Sequence, residues 1–489
     1  MIIMDKLVSN CPLPLRTPIH TLDDDALLNV FYIFGLDSVD RDDGRVFRAN
    51  WDHARWWYKL VQVCRRWRHL IFAFPVRLDL HLLCTYGVPV SDMLAHSPPL
   101  PLFISYLDQN RERTAEDDHS ILLALQHTHR IRRIGLELPA SKLLKPLIAM
   151  DAQFPMLERL FIWSRSEDSP HLMLPKTLQA PHLRGFALSG VKFPIGSPLL
   201  TTTVGLVTLV LESIQPDVYF PPSFLIARLS SMTQLRTLSI GFSCPVATRV
   251  VEGQLSRTQV MARVTLPNLH ALFFRGVSAY LDGLLARMNT PQLQIFHISF
   301  SNQLTFNVPH LMRVTTTTEN LRLSTAHLLF YPGAVTLIDG LLPPVARDRL
   351  LFRAEIRCRH LDWQVASAVQ VFRALAPILS TVETLTLYYY AEHHNPTELP
   401  DEVDPMQWRE LLGFFRNVKT LAVADGLLGE LSRSLQPGDE DPSLDLFPEL
   451  RELRYSGNDN ADDIFSPFIH ARKISGRPVG LVHHRDLLH

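Results

Sequence analysis

One short apolar pattern returns along most of this chain and limits what it can fold into. Three residues spaced L-x-x-L-x-L, with Ile, Val or Phe standing in for Leu, occur at Ile131/Ile134/Leu136, Leu157/Leu160/Ile162, Leu183/Phe186/Leu188, Leu206/Leu209/Leu211, Leu235/Leu238/Ile240, Leu269/Leu272/Phe274 and Leu293/Phe296/Ile298. The pattern goes on less regularly through Leu321/Leu323, Leu351/Ile356, Val382/Leu385/Leu387, Val418/Leu421/Val423 and Leu450/Leu453/Tyr455. In the regular stretch the first positions lie from 23 residues (Leu183 to Leu206) to 34 residues (Leu235 to Leu269) apart. That step holds one strand and one helix, and it is too long for the strand spacing of a β-sandwich. Proline precedes several units at the same offset, as in Phe154-Pro-Met-Leu157, Ala180-Pro-His-Leu183, Leu266-Pro-Asn-Leu269, Thr290-Pro-Gln-Leu293 and Phe447-Pro-Glu-Leu450. There it fixes the approach to a strand without removing a ladder hydrogen bond.

Helix candidates lie between the expected strands: Ser120 to His129, Phe224 to Met232, Ser278 to Asn289, Asp362 to Leu379 and Met406 to Phe415. A lone strand and helix cannot bury their apolar faces, so the units must stack on one another. The expected fold is α/β, an irregular leucine-rich-repeat solenoid: a horseshoe with a parallel sheet on its concave face and helices outside. Stacking also accommodates 489 residues, more than one simple core accommodates. The array is assigned to residues 129–456, a linker with the first irregular repeats to 75–128, and a capping segment to 457–489. In that last segment Ile464 to Lys473 reads as a helix and Pro478 to Val482 as a strand.

Ahead of the array stand two apolar, helix-like runs, Ile19 to Phe34 and Trp57 to Phe72. In the first, Thr21 is placed to cap a helix whose first turn holds Asp23, Asp24 and Asp25, with Thr21 and Asp24 at capping-box spacing. Leu27, Leu28, Val30, Phe31 and Phe34 follow at steps of three and four, a stripe that needs a packing partner. The second run sets Leu60, Val63, Cys64, Trp67 and Ile71 opposite Arg65, Arg66 and Arg68.

Leu22 through Phe31 and Leu60 through Leu70 resemble the two halves of an F-box, the leader L-P-D-E-x-L-L-x-I-F and the closer L-x-x-V-C-R-x-W. The closer matches well, whereas the leader carries Asp23 where the family has Pro. An insertion at 35–56 lengthens an F-box-like helical domain assigned to 12–74. The layout from Ile19 to Val482 looks like the large fungal family of F-box proteins with divergent leucine-rich repeats. That resemblance implies docking on a Skp-type adaptor and through it a cullin, as substrate receptor of an SCF ubiquitin ligase. Leu22, Leu27, Leu28, Phe31, Leu60, Val63, Cys64 and Trp67 would then share the adaptor contacts and the packing between helices. The alternative is a leucine-rich-repeat interaction scaffold not attached to a ligase, with the N-terminal helices as its cap.

Charge separates partner classes. Lys plus Arg number 48 against 49 Asp plus Glu, a balance that argues against a nucleic-acid binder and gives no sign of an anionic membrane partner. No apolar run reaches membrane-spanning length, and the start lacks the pattern of a secretory signal. Cys11, Cys64, Cys84, Cys244 and Cys358 are scattered without a C-x-x-C, which points to a reducing compartment, cytosol or nucleus, and to no zinc site or disulfide framework.

No phosphate loop, nucleophile elbow or zinc-protease helix occurs, so neither catalysis nor a cofactor nor a metal is expected. The pairs His393-His394 and His483-His484 point apart on any regular element and make no chelate. The expected target-binding surface is the concave face, where alternate strand positions would present Arg159, Phe161, Trp163, Phe273, Arg275, His297, Arg322, Arg353 and Tyr388, with Arg357 and Arg454 alongside. Arginine and aromatic side chains on a rigid surface are the usual anchors of protein interfaces.

Overall fold

The computed structural model describes residues 18–36, 56–107, 114–165, 172–194, 197–243, 263–301, 303, 305–317, 323–339, 351–390, 403–436, 446–456 and 461–483. The chain divides into two compact units, Met1–Arg133 and Ile134–His489. Cys11, Cys244, most of the insertion at 35–56, His393, His394 and His484 lie outside the described residues, as do Leu321 and Arg322.

The first unit opens with a single 3-10 turn, Pro18–Thr21, followed by helices α1 (Asp24–Leu36), α2 (Trp56–Leu60) and α3 (Arg65–Ala73). Asp23, not Thr21, caps α1: its Oδ1 accepts the Ala26 N–H at 2.7 Å. Thr21 is held in the preceding turn, which places Asp23 at the cap and Ala26 three residues on.

The expected single helix from Trp57 to Phe72 is broken. The β-branched residues of Val61-Gln-Val63 favour helix weakly, and Cys64 sits in extended backbone (φ −158°, ψ 170°). Its Sγ accepts the Trp67 N–H at 3.5 Å, and Arg68 Nε takes the freed Val61 carbonyl at 2.9 Å. Beyond α3 come strand β1 (Leu82–Cys84), helix α4 (Val90–His96), strand β2 (Leu102–Tyr106) parallel to β1, and helix α5 (Ala115–Leu125) under a Thr114/Asp117 capping box.

Leu78 to Leu82 would read as a strand, yet pairing starts only at Leu82 because Asp79 takes a left-handed backbone (φ 47°). That turn buries His81, whose ring stacks on Phe103 at 3.7 Å while its carbonyl accepts Trp57 Nε1–H at 3.2 Å. Burial lowers the imidazole pKa to about 4, against a smaller upward pull from the Asp79 carbonyl. A depressed histidine contributes stability that is complete above its unfolded value of 6.5 and lost as pH falls towards 4. We therefore expect the wild type to lose on the order of 3 kcal/mol relative to His81→Gln across that window, read by thermal unfolding of both proteins at a series of pH values.

Strand β3 (Ile131–Leu138) carries the chain into the second unit. There follow α6 (Ala140–Ala149), β4 (Arg159–Ser164), β5 (Gly185–Ser189), the single turn α7 (Leu199–Thr202), β6 (Thr208–Ile214), α8 (Pro222–Leu229) and β7 (Thr237–Phe242). Then come β8 (Val264–Thr265), β9 (Ala271–Gly276), α9 (Ser278–Leu285), β10 (Met288–Asn289), β11 (Ile295–Ser301) and α10 (Pro309–Thr317). The remainder is β12 (Thr325–Tyr331), β13 (Ala334–Asp339), β14 (Phe352–Arg357), α11 (Leu361–Leu379), β15 (Thr384–Tyr389), α12 (Pro405–Leu412), β16 (Thr420–Val423), α13 (Leu428–Leu435), β17 (Glu452–Tyr455), α14 (Ala461–Ile474) and β18 (Gly480–His483).

From β3 the strand order is β3-β4-β5-β6-β7-β9-β11-β14-β13-β12-β15-β16-β17-β18, while β8 and β10 pair separately. From α8 to α14 each helix packs against the next. In the proline-marked units the L-x-x-L-x-L pattern has one meaning. Its first residue closes a tight turn, as when the Leu157, Leu183, Leu269, Leu293 and Leu450 N–H groups return to Phe154, Ala180, Leu266, Thr290 and Phe447 carbonyls. Proline occupies the second place of those turns, where its fixed φ suits the geometry. The next two leucine-type residues point from the strand into the helix layer, and Leu160, Ile162, Leu209 and Leu238 are all buried.

The sheet is mostly parallel, with one interruption. Strands β12, β13 and β14 form an antiparallel meander that turns at Pro332-Gly333, and it is laid in backwards, so that β14 lies beside β11 and β12 beside β15. Leu351, expected to open a repeat, is 41% exposed just ahead of β14. The 19-residue α11 then carries the chain across the meander to β15. Leu272→Ala should cost about 2–5 kcal/mol by opening a cavity behind β9, and Arg454→Ala less than about 1 kcal/mol, measured by chemical denaturation.

Candidate functional site

Two surfaces merit description, one in each unit. In the first unit Leu27, Leu28 and Phe31 are buried, Phe31 meeting the half-buried Trp67 edge-on at 4.8 Å. These three residues therefore build the helix packing and offer no surface to an adaptor. Helical geometry explains the choice: they share one side of α1 with Gly35, against which the Trp56 ring packs. Cys64 is spent on the α3 cap, and Leu60 is half-buried. Leu22 and Val63, at 36% and 56% exposed, do reach the surface.

The apolar surface of α1 lies on its other side. Val30 and Ile33 continue one helical stripe with Ala26, Leu22 stands exposed just ahead of the helix, and Ile33 and Phe34 are 59% and 53% exposed. Arg66 ties the start of α1 to α3 through the Leu22 carbonyl and the Asp24 carboxylate, both at 2.7 Å. Arg77 reaches Asp25 and Asn29 at 2.9 Å. The stripe thus stands on a braced helix. Val30 and Phe34, which the sequence stripe groups with Leu27, Leu28 and Phe31, stay exposed, because a stripe read along one helix does not say which of its edges meets the neighbouring helices.

In the second unit alternate strand residues stand on the sheet face away from the helices, in rows fixed by register. One row runs Phe161, Ala187, Val210, Ser239, Phe273, His297 and Arg353; the next runs Trp163, Ser189 and Glu212, breaks in register after β6, and continues as Gly241, Arg275, Ser299 and Glu355. Arg159, Trp163, Phe273, Arg275, His297, Arg353 and Arg454 are half-buried, and Arg357 is exposed. Phe161 and Tyr388, expected to be presented there, are 6% exposed. The Phe161 ring lies over Gly185, which has no side chain to hold it upright, and Tyr388 packs with Leu329, Ile338 and Ala424.

Composition missed the carboxylates that organise these arginines. A register shift between Leu211 and Ile214, with Ser213 at φ 52°, marks a bulge at Glu212. Its carboxylate accepts from Ser239 Oγ at 2.5 Å and Arg275 Nη2 at 3.1 Å. Arg275 lies two strands away, and the bridge crosses Gly241, where a Cβ would collide with Glu212 Oε2.

On β14 Glu355 accepts Arg353 Nη2 at 2.6 Å on Oε2, and Arg357 Nε at 2.7 Å and Ser299 Oγ at 3.3 Å on Oε1. Burial alone would raise the Glu355 carboxyl, but the Arg357 hydrogen bond and the charges of both arginines outweigh it and hold the group below its ordinary 4.5. The i, i+2 spacing of Arg-x-Glu-x-Arg on a strand was the available signal.

Among the described residues no group of three His, Cys, Asp or Glu could hold a metal ion, and no helix is long and apolar enough to cross a membrane. Cys64, Cys84 and Cys358 are free thiols. His483 packs on Tyr455 at 4.9 Å. The depressed Glu355 gives stability that is present above pH 4.5 and lost as pH falls through its lowered value. Glu355→Gln should therefore show a shallower acid limb than the wild type when unfolding midpoints are measured between pH 6 and about 3.

No protein-family model matches the chain, and no curated protein matches it. Among solved structures it is similar to the leucine-rich repeat-containing protein LegL7 from Legionella pneumophila, at 10% identity over 81% of this chain and 98% of that one, with a TM-score of 0.25. So slight a likeness decides nothing about this chain; its own strand order and register are what show a mixed α/β fold built on a large, mostly parallel sheet.

Proposed function

We propose that this chain is a non-catalytic receptor of an SCF-type ubiquitin ligase. The first unit docks on a Skp-type adaptor, and through it a cullin, while the helix-free sheet face of the second unit holds a target protein. Catalysis is then by proximity, because a target lysine held near a charged conjugating enzyme reacts at raised effective concentration.

The observation that carries the reading is the exposed group of Val30, Ile33 and Phe34 on a braced helix, with Leu22 exposed just ahead of it, in the segment whose residues resemble an F-box. Apolar side chains held out by a fixed helix suit burial against another protein, and each contributes about 1.5–3 kcal/mol when fully covered. The arginine and aromatic positions of the sheet face support the second half of the reading.

Full-length protein should co-purify with the Skp adaptor. The double change Val30→Asp with Ile33→Asp should weaken that capture by at least about thirtyfold, the equivalent of about 2 kcal/mol, with the melting temperature within a few degrees of wild type since both side chains are exposed. Capture that survives the double change, or no capture of the adaptor by the wild type, leaves an interaction scaffold not attached to a ligase.

A further inference from the structure

We propose that Arg353 and Arg357, aligned by Glu355, anchor an unphosphorylated acidic side chain, Asp or Glu, of a target segment lying across the sheet face. The proposal rests on the reading of that face as target-binding and names the chemistry it selects.

The cluster differs from an ordinary ion pair. Glu355, 13% exposed at its side chain, binds two guanidinium groups through separate oxygens, and the arginine side chains remain 40% and 49% exposed. One carboxylate needs one arginine for balance, as Glu212 has in Arg275. The second arginine leaves a surplus of one positive charge, and Glu355 holds both guanidinium groups so that little side-chain freedom remains to be lost on binding.

The surplus selects the partner's charge. A carboxylate brings a single negative charge and accepts two charge-assisted hydrogen bonds in a planar fork that matches guanidinium. A phosphoryl group brings close to two negative charges at neutral pH, one more than the surplus, and sets the excess against the Glu355 carboxylate beneath.

The surroundings add a second feature. Tyr331 and Tyr390 stack at 4.8 Å, 5° from parallel, beside the Leu329, Ile338 and Tyr388 cluster. Strand β12, which carries Tyr331, is separated from β14 by β13 alone, a distance of about 10 Å. An extended segment with an acidic residue near an aromatic or aliphatic one therefore fits both.

The test uses full-length protein and three fluorescein-labelled heptapeptides with Gly-Ser flanks: a Glu-Phe core, a Ser-Phe core and a phosphoserine-Phe core, read by fluorescence anisotropy at low salt. The wild type should bind the glutamate peptide about tenfold more tightly than the serine peptide, the scale of one charge-assisted contact, and more tightly than the phosphoserine peptide. Arg353→Gln with Arg357→Gln should abolish the glutamate preference. Glu355→Gln, which raises the surplus to two, should move the preference to phosphoserine. Equal binding of the glutamate and serine peptides by wild type overturns the proposal, as does a wild-type preference for phosphoserine. Adaptor capture should be unchanged in all three sheet-face substitutions and peptide binding unchanged in Val30→Asp/Ile33→Asp, so a failure here is separable from a failure of the ligase reading.

Discussion

A single backbone contact repeated from unit to unit holds the second unit in register. The Glu158 carbonyl accepts both the Arg184 and Gly185 N–H groups, at 2.7 and 2.9 Å; the Arg184 carbonyl then accepts Val207 and Thr208, the Val207 carbonyl Arg236 and Thr237, the Arg236 carbonyl His270 and Ala271, and the His270 carbonyl Gln294 and Ile295. A carbonyl oxygen has two lone pairs, so one acceptor per unit can serve two donors of the next. Each double bond places the following strand at one register, and that register sets which residues share a row on the open face. The relay resumes beyond the meander, from Ser324 to Glu383 and Thr384, then from Glu383 to Lys419 and Thr420, and from Lys419 to Arg451 and Glu452.

The apolar core and the open face are two consequences of that register. Leucine-type side chains fall in line behind the sheet and bury one another across units, supplying the main driving force. The residues between them fall in line in front. There, Gly185 and Gly241 matter by being small: one lets the Phe161 ring lie down, and the other lets the Glu212–Arg275 bridge cross a strand. A face that would otherwise be a uniform fringe of side chains becomes locally flat beside Phe161 and locally charged at β14.

The backward meander is the point at which repetition gives way. Its hairpin turns on Pro332-Gly333, a dipeptide that marks turns in sequence, between two strands buried along nearly their whole length. The surrounding L-x-x-L-x-L pattern was strong enough to carry a repeat reading across Leu351, where β14 instead pairs antiparallel with β13. The meander brings Glu355 and Tyr331 onto the same face as the regular strands, with Tyr331 beside Tyr390 at the end of β15, because β14 and β12 pair in register with β11 and β15. In the first unit a similar local event, the Cys64 cap, divides one expected helix into α2 and α3 and turns Trp57 under His81.

The sequence by itself determined the repeating strand and helix, the proline-marked turns and the inward leucines, since these follow from local turn geometry and from side-chain periodicity along a single element. It also located the closing helix and strand near the C-terminus. Only the tertiary structure decided which side of α1 remained uncovered, that Phe161 and Tyr388 lie buried, and that two arginines share Glu355 with a serine from the neighbouring strand. Those outcomes depend on which elements become neighbours and in what register, and contacts between residues 56 positions apart, as Ser299 and Glu355 are, leave no periodic trace in the chain that makes them.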